Sequence, residues 1–460
     1  MAITTPHTKV IQSVLLCLSA APGIKRYWLA YSGGIDSHVL LHVLANHQHI
    51  FGDAKFQAVH INHALSPQAD QWAEHCRLTC ERLQIPFIDI DVDATPRPGE
   101  SPEARAREVR YQAIERLIKP DDCLLTAHHQ DDQVETLLLQ LVRGSGPKGL
   151  AAMPEWASFH NGHLARPLIH VRREDIHVYA AANQLKWITD ESNLDLKFDR
   201  NFIRHEIVPR LTQRWPSLAQ TISRSARYCA EAVEILDHDA RQVLESINPN
   251  AQPYLPVSRL LQLSKAQQRN TLRYWIHQHG KNTPSSTRLE QVTEQLLHAA
   301  PDASPKVGWQ GCELRRYRDQ LHIMSPLPSV NADEALEWNI AHPVVINAIG
   351  ELSARPAVGA GVAKRYVSDS NLSVRFRKGG ESIQPAGRPQ HHTLKKLFQE
   401  RGIPPWIRDR IPLIYIDDQL AAVGNLFVGQ QFSAENGEDG FIFQWESKIL
   451  LESAQVTDLW

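Results

Sequence analysis

The chain contains no CxxC pair. Its six cysteines, Cys17, Cys76, Cys80, Cys123, Cys229 and Cys312, are scattered over 460 residues. A chain of this length needs no disulfide staples, so reduced thiols and a cytoplasmic location are expected. No stretch approaches the ~20 consecutive apolar residues that cross a bilayer, so no membrane partner is expected. Lys9 followed by Val10 to Ala21 faintly imitates a secretory leader. Gln12 and Ser13 interrupt it, however, and a strand-loop-helix unit starts almost at once at Tyr27, which favours a first amphipathic helix. Neither sign of charge dominates: 49 Lys and Arg face 51 Asp and Glu, so a nucleic-acid surface has to be a local patch hidden in the total. The GxxxxGK[ST] phosphate loop is missing, and so are internal repeats and low-complexity tracts. His160, His163 and His170 lack the cysteine partners of a zinc site.

What is present is ordinary globular composition, 42% hydrophobic and 22% charged, in a chain too long for one core. Two or three domains are expected, and signal changes place them at 1–215, 216–326 and 327–447. Over the first two hundred residues strands and helices alternate, which predicts a parallel sheet covered on both faces. Strands are expected at Tyr27–Tyr31, Phe56–Ile61, Phe87–Val92, Cys123–Ala127 and Trp187–Thr189. Helices are expected at Ser37–Asn46, Ala69–Leu83, Asp131–Arg143 and Asp175–Leu185. A Pro-rich loop (Pro96, Pro98, Pro102) precedes a further helix in which Ala106, Val109, Ala113 and Leu117 recur at helical spacing. From Pro216 the pattern turns helical, with periodic stretches at Leu218–Ile247 and Val257–Gln278 and a strand pair around Pro305–Met324. Beyond Pro326 and Pro328 short strands and one helix near Leu394–Arg401 suggest a small α+β domain.

The run Ser32-Gly33-Gly34-Ile35-Asp36-Ser37 follows the first strand and opens a helix. Two glycines let backbone amides approach an anion without a Cβ in the way. Successive N–H groups and the positive end of the helix then converge on one place, with Ser32 and Ser37 adding hydroxyls. An ordinary strand-to-helix turn is the plain alternative. Its place at the carboxyl end of a first strand favours the phosphate-loop reading, because open α/β sheets bind ligands there.

The fourth strand leads into His128-His129-Gln130-Asp131-Asp132-Gln133-Val134-Glu135. At 3.6 residues per turn Asp131, Glu135 and Asp132 fall on one side of the helix. One acid would satisfy the helix dipole; three beside two histidines point to a Mg²⁺ or ammonium site. Arg107 and Arg110 lie on the preceding helix, where they either hold phosphates or RNA or form a solvated face. Dense polar clusters at Asp190–Asn193 and Asp199–Arg204 precede the helical region. Between Lys364 and Arg410 eleven Lys or Arg stand against Asp369, Glu381, Glu400 and Asp409, and the sign reverses after Ile411. Such a patch is the footprint expected for a phosphate backbone.

Ser-Gly-Gly-x-Asp-Ser is the signature of the PP-loop, or N-type ATP pyrophosphatase, superfamily, whose members cleave ATP between the α and β phosphates and adenylate a substrate oxygen. With Ala127-His128-His129-x-Asp131-Asp132-x-x-Glu135-Thr136, Arg107-x-x-Arg110-Tyr111, and Asp190-x-Ser192-Asn193 followed by Arg200-Asn201-x-Ile203-Arg204, the chain resembles the tRNA(Ile)-lysidine synthase family. Likeness continues through Leu272–Trp275, Trp309–Tyr317, Phe376–Glu381, Leu394–Glu400 and Pro404–Arg408, so it spans the longer members of that family. The resemblance implies a Rossmann-like catalytic domain, a mainly helical middle domain and a small α+β carboxyl-terminal domain. It implies ATP and Mg²⁺ as cofactors, with tRNA(Ile) bearing a CAU anticodon and L-lysine as partners. On this reading Ser32, Gly33, Gly34, Ile35, Asp36 and Ser37 hold ATP, and Asp36 also coordinates Mg²⁺. Asp132 and Glu135 hold lysine, Arg107 and Arg200 neutralise charge or position RNA, and Arg375, Arg377, Lys395 and Lys396 bind tRNA. A PP-loop thiolase is the rival enzyme, and a non-catalytic RNA-binding module the rival of another class. The former calls for cysteine motifs that are missing, the latter for a decayed loop.

Overall fold

A computed structural model describes residues 5–21, 23–63, 68–96, 102–300, 303–368 and 370–448. Pro98, Asp369 and the residues after Lys448 lie outside the described residues. The chain divides into two compact units, Met1–Ile235 and Leu236–Trp460.

The first unit begins with α1 (Pro6–Ser19), capped by the Thr5 side chain. It continues through β1 (Arg26–Ala30), α2 (Ile35–His47), β2 (Lys55–Asn62), α3 (Ala69–Arg82), β3 (Phe87–Asp91), α4 (Pro102–Glu115), β4 (Asp122–Leu125), α5 (Gln130–Val142) and α6 (Pro147–Leu150). A hairpin, β5 (Trp156–Phe159) and β6 (Gly162–Ala165), and α7 (Arg173–Ala182) follow. The strand order is β3-β2-β1-β4-β6-β5, parallel except for the edge strand β5. Side-chain alternation along β1 explains the two covered faces. Tyr27 and Leu29 enter one core with Val10 and Val14 of α1, Val39 and Leu40 of α2, and Ile176 and Tyr179 of α7. Trp28 enters the other, with Val59 of β2, Ile114 of α4 and Leu124 of β4. Burying each such side chain contributes roughly 1.5–3 kcal/mol, so the sheet is fixed from both sides.

Two expectations fail here. Trp187–Thr189 forms no strand; its Ile188 amide donates to the Gly33 carbonyl at 2.9 Å, so the segment braces the glycine loop. The fifth parallel position is taken by β6, whose four residues are too short to give a clear periodic signal. Leu117 lies beyond the end of α4.

After α7 the chain enters a helical run, α8 (Asp199–Phe202), a π turn at Ile203–Ile207 and α9 (Val208–Arg214), and then α10 (Leu218–Ile247). The second unit begins within α10, at Leu236, and continues with β7 (Tyr254–Pro256), α11 (Val257–Leu261), α12 (Lys265–Gln278) and α13 (Ser286–Glu290). Val257–Gln278 is thus two helices, not one. The Ser264 side chain accepts from the Gln267 amide and caps a new start. The expected strand pair is a four-stranded antiparallel sheet, β7 with β8 (Lys306–Trp309), β9 (Cys312–Tyr317) and β10 (Gln320–Met324), in the order β7-β10-β9-β8. The carboxyl-terminal part is built from antiparallel sheets around Val374, Leu394, Phe398, Ile414 and Phe443, with helices at Leu394–Glu400 and Pro405–Arg408.

Candidate active site

In the sheet order β1 and β4 are neighbours, with Leu29 opposite Leu125, although some ninety residues separate them in sequence. The order reverses between them, which opens a crevice at their carboxyl ends. Two segments meet there: the glycine loop after β1 and the histidine-acid segment after β4.

The loop is closed by its own hydroxyls. Ser37 Oγ donates to the Gly34 carbonyl at 3.0 Å and lies 3.1 Å from Ser32 Oγ, while the Ser32 amide donates to Ser37 Oγ at 3.3 Å. Gly34 caps α2 with no side-chain hydrogen bond to the helix end. That leaves the positive end of the helix open to an anion. Gly33 sits at φ +78°, and a Cβ there would meet Ile188 Cδ1 at 2.5 Å. Both the conformation and the close approach require glycine.

Asp36, in the first turn of α2, has a buried Oδ1 with no hydrogen-bond partner. Burial raises its pKa above the ordinary carboxylate value, more than the neighbouring His129 lowers it. A buried, unpartnered carboxylate oxygen beside a phosphate loop fits Mg²⁺, which takes one or two protein carboxylates plus substrate phosphates. Among the described residues no group of three or more His, Cys, Asp or Glu forms a cage of its own.

His129 joins the two halves. Its Nε2 lies 3.7 Å from Asp36 Oδ1 and 3.5 Å from Asp132 Oδ2, and its amide donates to Asp132 Oδ2 at 2.9 Å. The acids of α5 divide. Asp131 accepts from the Arg173 amide at 2.9 Å and so serves the start of α7, the plain helix-dipole role. Asp132 and Glu135 are buried together against two arginines. Arg200 Nε donates to Glu135 Oε2 at 2.7 Å and its Nη2 to Asp132 Oδ1 at 2.9 Å. Arg204 Nε donates to Glu135 Oε1 at 2.6 Å and its Nη2 to Glu135 Oε2 at 2.8 Å. The π turn after α8 carries Arg204 in the run that presents both guanidinia to α5; such turns recur at functional sites.

Burial alone would raise the Asp132 pKa, but His129, Arg200, His128 and the His129 amide outweigh it and hold the carboxyl well below its usual range. Burial lowers the arginines, yet their two acids more than restore them, so both guanidinia are bound more tightly to their protons than usual. The crevice thus holds a phosphate cradle, an unneutralised carboxylate and a compensated block of two acids with two arginines. It can bind a nucleoside triphosphate and set a cationic or nucleophilic group beside it.

Residues 7–211 match the sequence profile of a PP-loop domain, 255–322 that of a TilS substrate binding domain, and 372–445 that of a TilS substrate C-terminal domain. The tRNA(Ile)-lysidine synthase of Coxiella burnetii is 42% identical over 433 residues, 94% of this chain and 95% of that protein. That of Methylococcus capsulatus is 39% identical over 421 residues, covering 91% and 96% of the two chains, and that of Alkalilimnicola ehrlichii is 41% identical over 414, covering 89% and 92%.

The chain belongs to the tRNA(Ile)-lysidine synthase family. This membership sets aside the thiolase reading, in keeping with six free cysteines of which five are buried.

Within this family member the crevice gathers Ser32–Ser37, Asp36, Asp132, Glu135 and Arg200. Arg107 on α4 is exposed, its guanidinium 4.9 Å over the Tyr111 ring. Arg375 and Arg377, in the second unit, are ion-paired: Arg375 to Asp418, and Arg377 to Asp409 at 3.4 Å and Glu381 at 3.5 Å. Lys395 and Lys396 are exposed on the helix Leu394–Glu400, without an ion pair among the described residues. Part of the basic excess is thus neutralised inside its own domain. Arg204 and His129 also belong to the crevice, although neither is among the expected site residues. Arg204 lies four residues after Arg200, and that spacing is the signal for it. For His129 only the parallel pairing of β1 and β4 supplies one.

Proposed function

We propose that the chain ligates lysine to the C2 carbon of the cytidine at the anticodon wobble position of tRNA(Ile) with a CAU anticodon. In the first step the cytidine carbonyl oxygen attacks the α-phosphate of ATP and pyrophosphate leaves. In the second the side-chain amine of lysine displaces AMP at the ring carbon and loses a proton. The carbon–nitrogen bond changes codon reading from AUG to AUA and amino-acid identity from methionine to isoleucine. A cytidine in an unpaired loop is accessible to such chemistry, and ATP, lysine and tRNA meet in the cytoplasm.

The loop Ser32–Ser37 holds the ATP phosphates, and Asp36 holds Mg²⁺, which supplies charge neutralisation at the phosphates. Asp132 and Glu135 bind the ammonium of lysine in a site shared with Arg200 and Arg204, whose positive charge also attracts the adenylate phosphate. Arg107 positions RNA. Residues 1–215 form the catalytic domain, 216–326 the middle substrate domain and 327–447 the tRNA-binding domain, in which Arg375, Arg377, Lys395 and Lys396 face the nucleic acid.

One observation carries this reading: Asp36 of the phosphate loop and the Asp132–Glu135–Arg200–Arg204 block lie on either side of His129 in one crevice. Incubating the protein with ATP, radiolabelled lysine and a CAU-anticodon tRNA(Ile) transcript tests it. Label is expected in the RNA, dependent on ATP and absent with a UAU anticodon. Unlabelled RNA alongside ATP cleavage and incorporation of another nucleophile would overturn the assignment of lysine.

A further inference from the structure

Strand β6 ends at Ala165, and the next residue, Arg166, is 6% exposed. Its Nη1 donates to the Pro154 carbonyl at 2.7 Å. Its Nε is buried and has no hydrogen-bond partner, and among the described residues no carboxylate forms an ion pair with it. A buried guanidinium without a counter-ion is costly to the free protein. Arg200 and Arg204, by contrast, have two carboxylates between them.

Among the described residues, no carboxylate is among the charged groups that shift Arg166. Burial lowers the Arg166 pKa, Tyr111 opposes that, and Arg107 lowers it again. The charges of Arg166, Arg200 and Arg107 all reach the His128 ring, and burial with these charges pushes it down to about 3, against an opposing effect of Asp132. His128 is therefore neutral, its Nδ1 2.8 Å from Thr126 Oγ1. One turn along α4 from Arg107, Arg110 donates through Nε to His63 Nε2 at 3.3 Å. Burial first and Arg110 second push His63 down to about 4, so it too is a neutral acceptor. Arg107, Arg110 and Arg166 thus stand among His63, Tyr111 and His128.

Their place in the fold is consistent. His63, Thr126–His128 and Arg166 follow the carboxyl ends of β2, β4 and β6. The helix α4 packs on the face of the sheet opposite α2, so this cationic cluster reaches the crevice from the layer that the phosphate loop does not occupy.

We propose that Arg166, with Arg107 and Arg110, forms a second phosphate site that takes an RNA backbone phosphate next to the reacting nucleotide. The proposal rests on the tRNA-modifying reading above and gives an RNA-binding role to Arg166 and Arg110. The ligand chemistry is a phosphate oxyanion. The RNA backbone is favoured over the departing pyrophosphate because the ATP phosphates have their own cradle on the other face. Guanidinia suit this ligand through paired N–H donors, and the buried position makes the contact strong once the anion arrives.

The test uses the full chain with Arg166→Met, Arg166→Lys and Arg110→Gln, and binds tRNA(Ile) transcript without ATP or lysine across a salt series. Failure here is thereby separated from failure of the lysine assignment, which is read by incorporation. Arg166→Met should melt no lower than the parent, since an unpaired buried charge is replaced by an apolar side chain of similar length. It should bind tRNA about tenfold or more weakly, with a logarithmic salt slope shallower by about 0.7–0.9. The KM for ATP and inhibition by inorganic pyrophosphate should stay within about twofold of the parent. Arg166→Lys should recover part of the affinity, and Arg110→Gln should flatten the slope without altering the buried site. Lower melting with unchanged tRNA binding in Arg166→Met would make Arg166 a structural residue and overturn the proposal. Weakened pyrophosphate inhibition with an unchanged salt slope would assign the cluster to the ATP phosphates and overturn it equally.

Discussion

Replacing Glu135 with Gln removes one negative charge from a block of four buried or half-buried groups. In the parent two guanidinia and two carboxylates cancel, with Glu135 accepting at 2.7 Å from Arg200 and at 2.6 and 2.8 Å from Arg204. The amide leaves Asp132 to compensate both arginines, and its NH₂ faces guanidinium donors. Breaking a buried pair by removing one partner costs about 3–5 kcal/mol. Because the arginine side chains are about a quarter exposed, the lower end applies, about 3 kcal/mol after allowing for solvent screening. In a unit of this size 1 kcal/mol shifts the melting temperature by roughly 2–4 °C, so a fall of about 6–12 °C is expected. Adding Arg204→Gln restores neutrality, and a double-mutant cycle should show coupling of at least about 1 kcal/mol. In the same single variant the KM for lysine should rise far more than that for ATP. An unchanged melting temperature or an additive cycle would refute the electrostatic argument. Equal rises in both KM values would point instead to a metal role for the pair.

The other expectations are briefer. Asp36→Ala should abolish tRNA-dependent pyrophosphate release while leaving melting unchanged or slightly raised, because Asp36 Oδ1 is buried with no hydrogen bond to lose and its contact to His129 is long, at 3.7 Å; normal release would remove this loop from the reaction. Asp132 has a depressed folded-state pKa, so its stabilisation is fully present above the unfolded value of about 3.9 and is lost as pH falls through the lower folded value. Acid titration of melting should therefore show the advantage of the parent over Asp132→Asn shrinking only below about pH 4; a gap that closes near neutrality would contradict this. In the carboxyl-terminal domain, Lys395→Gln with Lys396→Gln should flatten the salt dependence of tRNA binding by up to about 0.7–0.9 per lost contact. Arg375→Gln and Arg377→Gln should change it less, since those charges are already paired to acids.

The sheet and the phosphate loop were legible because their signals are local. A short apolar run at Tyr27–Tyr31, glycines at 33 and 34 and a hydroxyl at each end of the loop state their purpose within a few residues. Trp187–Thr189 misled for the same reason. Its composition suits a strand, but the sheet position went to β6, and the segment instead supports Gly33. The break at Ser264 could be read only as a cap, a signal hidden under continuous apolar periodicity.

Three acids at positions 131, 132 and 135 look alike on a helical wheel. Only packing separates Asp131, at the start of α7, from Asp132 and Glu135, set against Arg200 and Arg204. Likewise eleven basic residues between Lys364 and Arg410 predict a field, yet folding brings acids from outside that window, such as Asp418, against Arg375. The sequence by itself determined the chemistry on offer: a loop for phosphate, carboxylates for a cation and a family of tRNA-modifying enzymes. The tertiary structure alone decided which charges cancel and which stay open. Ion pairing and desolvation depend on distances of a few ångströms between segments far apart in the chain, and Arg166, buried without a hydrogen-bond partner for its Nε, has no mark in its sequence neighbourhood.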